Sequence, residues 1–390
     1  MMTKFALSAP GYGRETLRCA SGFVGIHAND ADELRFSEAS LTIDRTWNWL
    51  GSSSLENEID TDDQGVLKKL AVIWTQAPQG EINLDGMRLR FERMVTLGSM
   101  AEPKRTIHEI ASVRLVFDEE LPSTTIVNQH AMAIADFLTL ATGRICEIRS
   151  VRLSSPRFVR QGTGDRIENV DVLLLLPRVS SHPKEDLLPQ QMNFVYSDIE
   201  DGAEQFLRSW LEKRQIIKPV FDLYFDVVRS PQMSLHHQFT SLAHALEVLH
   251  RRTMQEVDME ACNERVEAVV SSAPEVHRAW LRQKLTFAHE PSLRQRLKQI
   301  WERLPACAQK VIGTKKRFAE KVTTIRNYYA HYSAERRGFT SEDEALFCAH
   351  LRNALKVLLL MAIGFSESQI EMMANRSGRL LDTPVFIPLD

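Results

Sequence analysis

The sequence predicts an α+β protein, with a β-rich antiparallel N-terminal domain followed by an all-α helical bundle. Three observations carry that expectation. Up to about Val170, short segments rich in β-branched and aromatic residues alternate with polar turns, the pattern of half-buried strands. From about Gly202 the apolar residues recur every three or four positions, the period of helices packed on one face. Helix punctuation then becomes regular, with capping pairs at Ser341-x-x-Glu344 and Ser366-x-x-Gln369 and stops at Gly338 and Gly364. These changes divide the chain into a β-rich domain at 1–201, connecting helices at 202–234 and the bundle at 235–390.

Taken in order, Leu41 to Leu50, Leu70 to Thr75, Glu81 to Val95 and Ser112 to Phe117 read as strands. The third is folded at Asp85-Gly86, a dipeptide that suits a hairpin turn. Asn128 to Thr142 has the period of an amphipathic helix ended by Gly143, and a strand from Ile145 to Leu153 follows. The unbroken apolar run Val172 to Leu176, closed by Pro177, reads as a buried strand. Ser154 to Asp165 and Pro177 to Pro189 are loops. Beyond them Ala203 to Ile217 and Val220 to Val228 form connecting helices separated by Pro219. The bundle helices are expected at Leu235–Arg252, Met259–Ser271, Pro274–Phe287, Ser292–Arg303, Lys315–Arg336, Glu342–Ile363 and Glu367–Ala374.

At 390 residues and 44% hydrophobic content the chain can bury two or three cores. The N-terminal apolar stretch is too short for a secretory signal. The longest apolar run, Leu355 to Phe365, is about half of the ~20 residues a membrane span needs, so a cytoplasmic protein with no membrane partner is expected. Five cysteines, odd in number and far apart, suit reduced thiols better than disulfides or a metal knuckle. Gly11-Tyr12-Gly13 and Gly162-Thr163-Gly164 lack the strand-before-helix setting and the Gly-Lys-Ser/Thr ending of a phosphate loop. No Gly-x-Ser-x-Gly elbow and no His-Glu-x-x-His occurs. Trp47, Trp49 and Trp74 fit either a strand core or a binding groove.

The segment with most chemistry is Arg326-Asn327-Tyr328-Tyr329-Ala330-His331. At 100° per residue Phe318, Val322, Ile325, Tyr329 and Tyr332 form one apolar stripe. Asn327 and His331, four apart, project away from it, and Arg326 lies on the flank. A guanidinium, an amide and an imidazole can thus meet beside the bundle, although outward polar residues on a helix are also simply solvated. From Arg294 to Arg337 there are twelve Lys or Arg against three acids, a surplus of nine in a chain whose net charge is −3. Such a concentration is what a phosphate-backbone binder carries, with Lys315, Lys316, Arg317 and Lys321 as candidate contacts. His244, Glu247 and His250 have ligand-type side chains at i, i+3 and i+6, but the last step turns about 120° from the first, so no metal site is expected. Glu247 paired with Arg251 one turn on is the simpler account.

With Arg326, Asn327 and His331 in an Arg-Asn-x3-His arrangement, the sequence resembles the HEPN ribonucleases, and more narrowly the ApeA-like branch of bacterial anti-phage defence. Phe239-x6-Leu246-Glu247-x2-His250-Arg251-Arg252 is similar to that branch's first bundle helix. Asp136-Phe137-Leu138-Thr139-Leu140-Ala141-Thr142 is similar to a helix of its N-terminal domain. The resemblance implies a metal-independent endoribonuclease without cofactor, acting on RNA, tRNA included, by attack of the substrate's own 2′-hydroxyl. His331 would move protons, Arg326 would hold the phosphate and Asn327 would orient it, with Glu247 at the cleft wall. It further implies a homodimer or higher symmetric oligomer, abortive infection as the outcome, and an N-terminal domain that registers a phage-derived trigger. The reading from another class is a non-catalytic nucleic-acid-binding or oligomerisation module. Group transfer onto Tyr328 or Tyr329 is disfavoured because Tyr329 falls on the apolar stripe.

Overall fold

The computed structural model describes residues 3–7, 15–19, 22–26, 34–51, 53–76, 80–98, 106–161, 167–175, 187–254, 259–331 and 338–382. Both glycine pairs discounted above, together with Leu176, Pro177, Tyr332, Glu335, Arg336 and Arg337, lie outside them. The chain forms two compact units, Met1–Leu211 and Glu212–Asp390.

The first unit is built from strands β1 (Thr3–Leu7), β2 (Glu15–Cys19), β3 (Gly22–Val24), β4 (Arg35–Ile43), β5 (Leu55–Thr61), β6 (Leu67–Trp74), β7 (Glu81–Leu84), β8 (Met87–Leu97), β9 (Ile107–Pro122), β10 (Ile148–Ser154), β11 (Val159–Gln161), β12 (Ile167–Asn169) and β13 (Val172–Leu175). Seven of these pair antiparallel in the order β3-β13-β10-β4-β9-β8-β7, and β1/β2, β5/β6 and β11/β12 form separate hairpins. Alternation puts Phe36, Leu41, Leu89, Val113, Leu115, Val151 and Leu153 wholly inside. The expected hairpin stands at Asp85-Gly86, where Leu84 faces Met87 and Gly86 takes a φ of 76°. β5 was not anticipated, because its Leu-Glu-Asn-Glu-Ile-Asp-Thr sequence is acid-rich; it is held by pairing with β6 from Leu55↔Trp74 onward.

One expected strand is corrected. Leu41 to Leu50 stops being extended at Ile43, and Thr46–Leu50 is a short helix, α1. Arg45 takes a left-handed φ of 62°, held by its guanidinium on the Ile145 carbonyl at 2.6 Å, and the Thr46 hydroxyl bonds the Ile43 carbonyl. The turn drives Trp49 inward, against Phe91, Phe137 and Tyr196 with ring centroids 5.1–5.8 Å apart. Trp47 instead stays partly exposed and donates to Glu109 at 2.8 Å.

The next helix is a turn, α2 (Ser123–Thr125), a π-helical stretch at Ile126–Ala131, and α3 (Met132–Thr142). Every residue of α3 after Met132 is buried, as for a helix covered on all sides. Its far side meets Trp210, whose indole N–H donates to the Ala133 carbonyl at 2.9 Å. It ends at Gly143, φ 66°, where an added Cβ would press on the Asn193 side chain at 3.4 Å.

The second unit is helical. α4 (Ala203–Ile216) ends in it, and α5 (Lys218–Arg229), α6 (Leu235–Thr253), α7 (Met259–Ser272), α8 (Glu275–Leu285), α9 (Leu293–Arg303), α10 (Ala306–Ile312), α11 (Lys315–His331), α12 (Ser341–Ala362) and α13 (Glu367–Arg376) follow. α12 is long and apolar enough to cross a bilayer, more so than the run at Leu355–Phe365 suggested, yet two-thirds of its apolar window is buried inside the unit, which makes it the core helix. The capping pair at Ser366-Gln369 stands as expected, with Gln369 N donating to Ser366 Oγ at 3.3 Å. The other pair is shifted by one residue: Thr340 caps Asp343, since Glu344 is turned inward at 3% exposure. Cys146 and Cys348 are buried free thiols, and Cys262 and Cys307 are free and half-buried. Burial pushes the Cys146 and Cys348 thiols up to about 11, so both stay protonated and inert at neutral pH.

Candidate functional site

α11 buries Phe318, Val322 and Ile325 completely, each worth about 1.5–3 kcal/mol when removed from water. Tyr329 continues that stripe with its ring half-buried. Its hydroxyl donates to Glu344 Oε1 of α12 at 2.5 Å, and its ring lies 5.5 Å from His236 of α6. Tyr328 packs edge-on against Phe339 at 5.4 Å. The last turn is thereby fixed in rotation, with Asn327 and His331 exposed to solvent.

Arg326 is the hinge between that outer face and a concavity. Its Nη2 lies 3.6 Å from Glu247 Oε2 of α6, and its Nη1 donates to Asn327 Oδ1 at 3.3 Å. Glu247 also receives Arg251 Nη2 at 3.4 Å, and Arg251 reaches Glu290 at 2.8 Å. The concavity, about 520 Å³, is lined by Thr240, His244, Glu247, Val248 and Arg251 of α6 and by Arg326, Tyr329 and Ala330 of α11. Of the four residues singled out in the sequence, Arg326 and Glu247 share this wall. Asn327 and His331 lie outside the lining, on the adjoining solvent face. The pairing of Glu247 with Arg251 stands as expected, whereas Thr240, and Arg251 as a lining residue, were missed, though a signal existed: Thr240, His244, Glu247 and Arg251 fall at i, i+4, i+7 and i+11, a polar stripe along one helix.

Of the three ligand-type side chains of α6, His244 and Glu247 line the concavity and His250 does not. His250 points into the bundle at 1% exposure, with Nε2 on Gln299 Oε1 at 2.6 Å and Nδ1 facing Arg296 Nη1 at 3.2 Å. Burial, reinforced by the Arg296 charge, lowers its pKa and keeps it neutral. Among the described residues no three His, Cys, Asp or Glu side chains are grouped to hold a metal ion.

The basic candidates are largely occupied. Lys315 pairs with Glu302 at 2.7 Å, and Lys321 with Asp343 at 2.7 Å and the Gly338 carbonyl at 2.9 Å. The Lys321 ammonium holds the Asp343 carboxyl below its usual range. Arg317 lies over the Phe347 ring at 5.7 Å. Arg294 pairs with Glu320, and Arg296, 1% exposed, with Glu290. Lys316 is exposed, with no carboxylate within ion-pair distance among the described residues.

Two family models match the chain: ApeA N-terminal domain 1 over residues 3–210, and Apea-like HEPN over residues 240–369. No curated protein and no solved structure matches it.

Proposed function

The chain belongs to the ApeA family of HEPN proteins, which carries an anti-phage, nuclease-type function, and on that premise we propose that it is a metal-independent endoribonuclease of abortive infection. The observation that carries the reading is Arg326, poised between the Glu247-lined concavity and the open face that bears Asn327 and His331. A guanidinium held at only 3.6 Å from its carboxylate is available to a phosphate, which it binds in two-pronged fashion.

In the proposed reaction the RNA 2′-oxygen forms a bond to the adjacent phosphorus while the bond from phosphorus to the 5′-oxygen breaks. The 2′-hydroxyl gives up its proton and the departing 5′-oxygen receives one, leaving a 2′,3′-cyclic phosphate and a 5′-hydroxyl. Imidazole is the side chain that exchanges protons near neutral pH, so His331 takes one of these transfers. Arg326 offsets the charge growing on the phosphate oxygens, and Asn327 orients the phosphate or the ring. Two transfers want two groups. A symmetric dimer, with the open faces of two α11 helices opposed, supplies the second His331. The N-terminal domain restrains this activity until it registers a phage-derived trigger.

The test is incubation of the purified full chain with tRNA or total RNA in EDTA, beside His331→Ala and Arg326→Ala. Cleavage that persists in EDTA, ends in cyclic phosphate and disappears in both variants is the expected result. Cleavage abolished by EDTA removes the mechanism, and variants that cut normally remove the site.

A further inference from the structure

α7 and α8 form a helical hairpin tied together by side-chain bonds. Arg282 pairs with Glu267 through Nη2 at 3.1 Å, and Arg278 donates to the Ala273 and Ser271 carbonyls at 3.0 and 3.2 Å. These bonds set the rotation of α8, with Arg278, Leu281 and Leu285 half-buried. At 100° per residue the opposite face of α8 gathers Val276, His277, Trp280, Gln283 and Lys284 within about 60° of Trp280, and Phe287 follows two residues past the end of the helix. All six are exposed. Val276 is 80% exposed, Trp280 56% and Phe287 70%. The exposed Trp and Phe side chains among the described residues are Trp47, Trp280 and Phe287, so two of three lie on this face or just past its end.

We propose that the outer face of α8 is a stacking platform for single-stranded RNA leading into the Arg326 site, an inference that rests on the ribonuclease reading. Large rings left in water are unfavourable unless a partner covers them, and the polar members of the face indicate which partner. Lys284 supplies a cation, His277 a ring N–H and Gln283 an amide, and no carboxylate lies among them; Glu275, the acid of α8, is about 140° away. A second copy of this face would set lysine against lysine with nothing to balance them, whereas a polyanion with flat bases satisfies both the charge and the rings. Trp280 stands five residues, about 7.5 Å along the axis, before the end of α8, or roughly two base steps at 3.4 Å each, and Phe287 follows that end. The platform also ends at the site. Glu290 N donates to the Phe287 carbonyl at 3.0 Å, and the Glu290 side chain holds Arg251, which lines the concavity beside Arg326.

The experiment measures binding to the full chain carrying His331→Ala, so that RNA survives. The probes are a 12-nucleotide single-stranded oligoribonucleotide and a blunt duplex of the same sequence. Trp280→Ala and Phe287→Ala, each added to that background, are expected to weaken single-strand binding about tenfold and leave duplex binding within about twofold. Trp280→Phe, which keeps a ring, should stay within about threefold of the parent. Unchanged single-strand affinity in both alanine variants overturns the platform, as does a loss accompanied by a fall in oligomeric mass, which would make the face a contact between copies. The two readings fail separately. A chain that cuts RNA equally well with Trp280→Ala loses the platform and keeps the ribonuclease, whereas one that binds through Trp280 but never cuts keeps the platform and loses the enzyme.

Discussion

The two ends of α11 carry the same kinds of side chain and use them differently. At the N-terminal end Lys315, Arg317 and Lys321 are tied down, to Glu302, to the Phe347 ring and to Asp343 with the Gly338 carbonyl. At the C-terminal end Arg326 has one carboxylate at 3.6 Å, and Asn327 and His331 face water. The first end fastens α11 to its neighbours, and the second turns Asn327 and His331 to solvent. Charge counted along the sequence cannot separate the two roles; the partners of each charge can.

The sharpest way to break this comparison is at the open end. His331→Ala is expected to lower RNA cleavage by 10²–10⁴-fold, the span of a lost proton-transfer group, and Arg326→Ala by about 10²–10³-fold. Urea midpoints should barely move for either, because neither side chain is buried. A loss of activity that tracked a loss of stability would place both ends in the structural class.

At the fastened end the largest expected effect is on stability and depends on pH. His350 of α12 is 4% exposed, edge-on to Phe347 at 5.3 Å and near Arg317. Burial, with the Arg317 charge, pushes its pKa down to about 4 from the ordinary 6.5. Between those values the unfolded chain binds a proton that the folded chain refuses, so stability falls as pH drops through that window. Moving from pH 7 to pH 5 should cost about 2 kcal/mol by urea unfolding. His350→Leu should flatten that slope, and an unchanged slope would show that the ring is not buried neutral.

Glu247→Gln tests the join between the two roles. Removing the carboxylate frees Arg326 from its one acidic partner among the described residues but leaves it less well aimed, and a drop of about tenfold in kcat with KM little changed is expected if aiming is what Glu247 does. A fall in KM at constant kcat would mean instead that Glu247 merely competes with the phosphate.

The helices of the second unit and the apolar stripe of α11 were legible because period and capping are local: Phe318, Val322 and Ile325 sit where 100° steps put them. The turn at Arg45 was not legible, since its left-handed backbone is held by the carbonyl of Ile145, a hundred residues away. The acid-rich β5 was hidden for the same reason, being a strand only through β6. At the site, Arg326 could be read from the motif and Arg251 from a polar stripe on α6. That Glu247 reaches across to Arg326 depends on how α6 and α11 pack, which no spacing within either helix encodes.

The smallest effect separates two neighbouring lysines at the fastened end. Lys321 is about 30% exposed in its ion pair, and Lys321→Ala should cost about 0.5–1 kcal/mol of stability with little change in the salt dependence of RNA binding. Lys316, exposed and free of carboxylates among the described residues, should behave in the opposite way. Lys316→Ala would leave unfolding unchanged and reduce the slope of log K against log salt by about 1 if its ammonium meets a phosphate. Slopes unchanged from the parent in both variants would show that neither Lys316 nor Lys321 meets a phosphate.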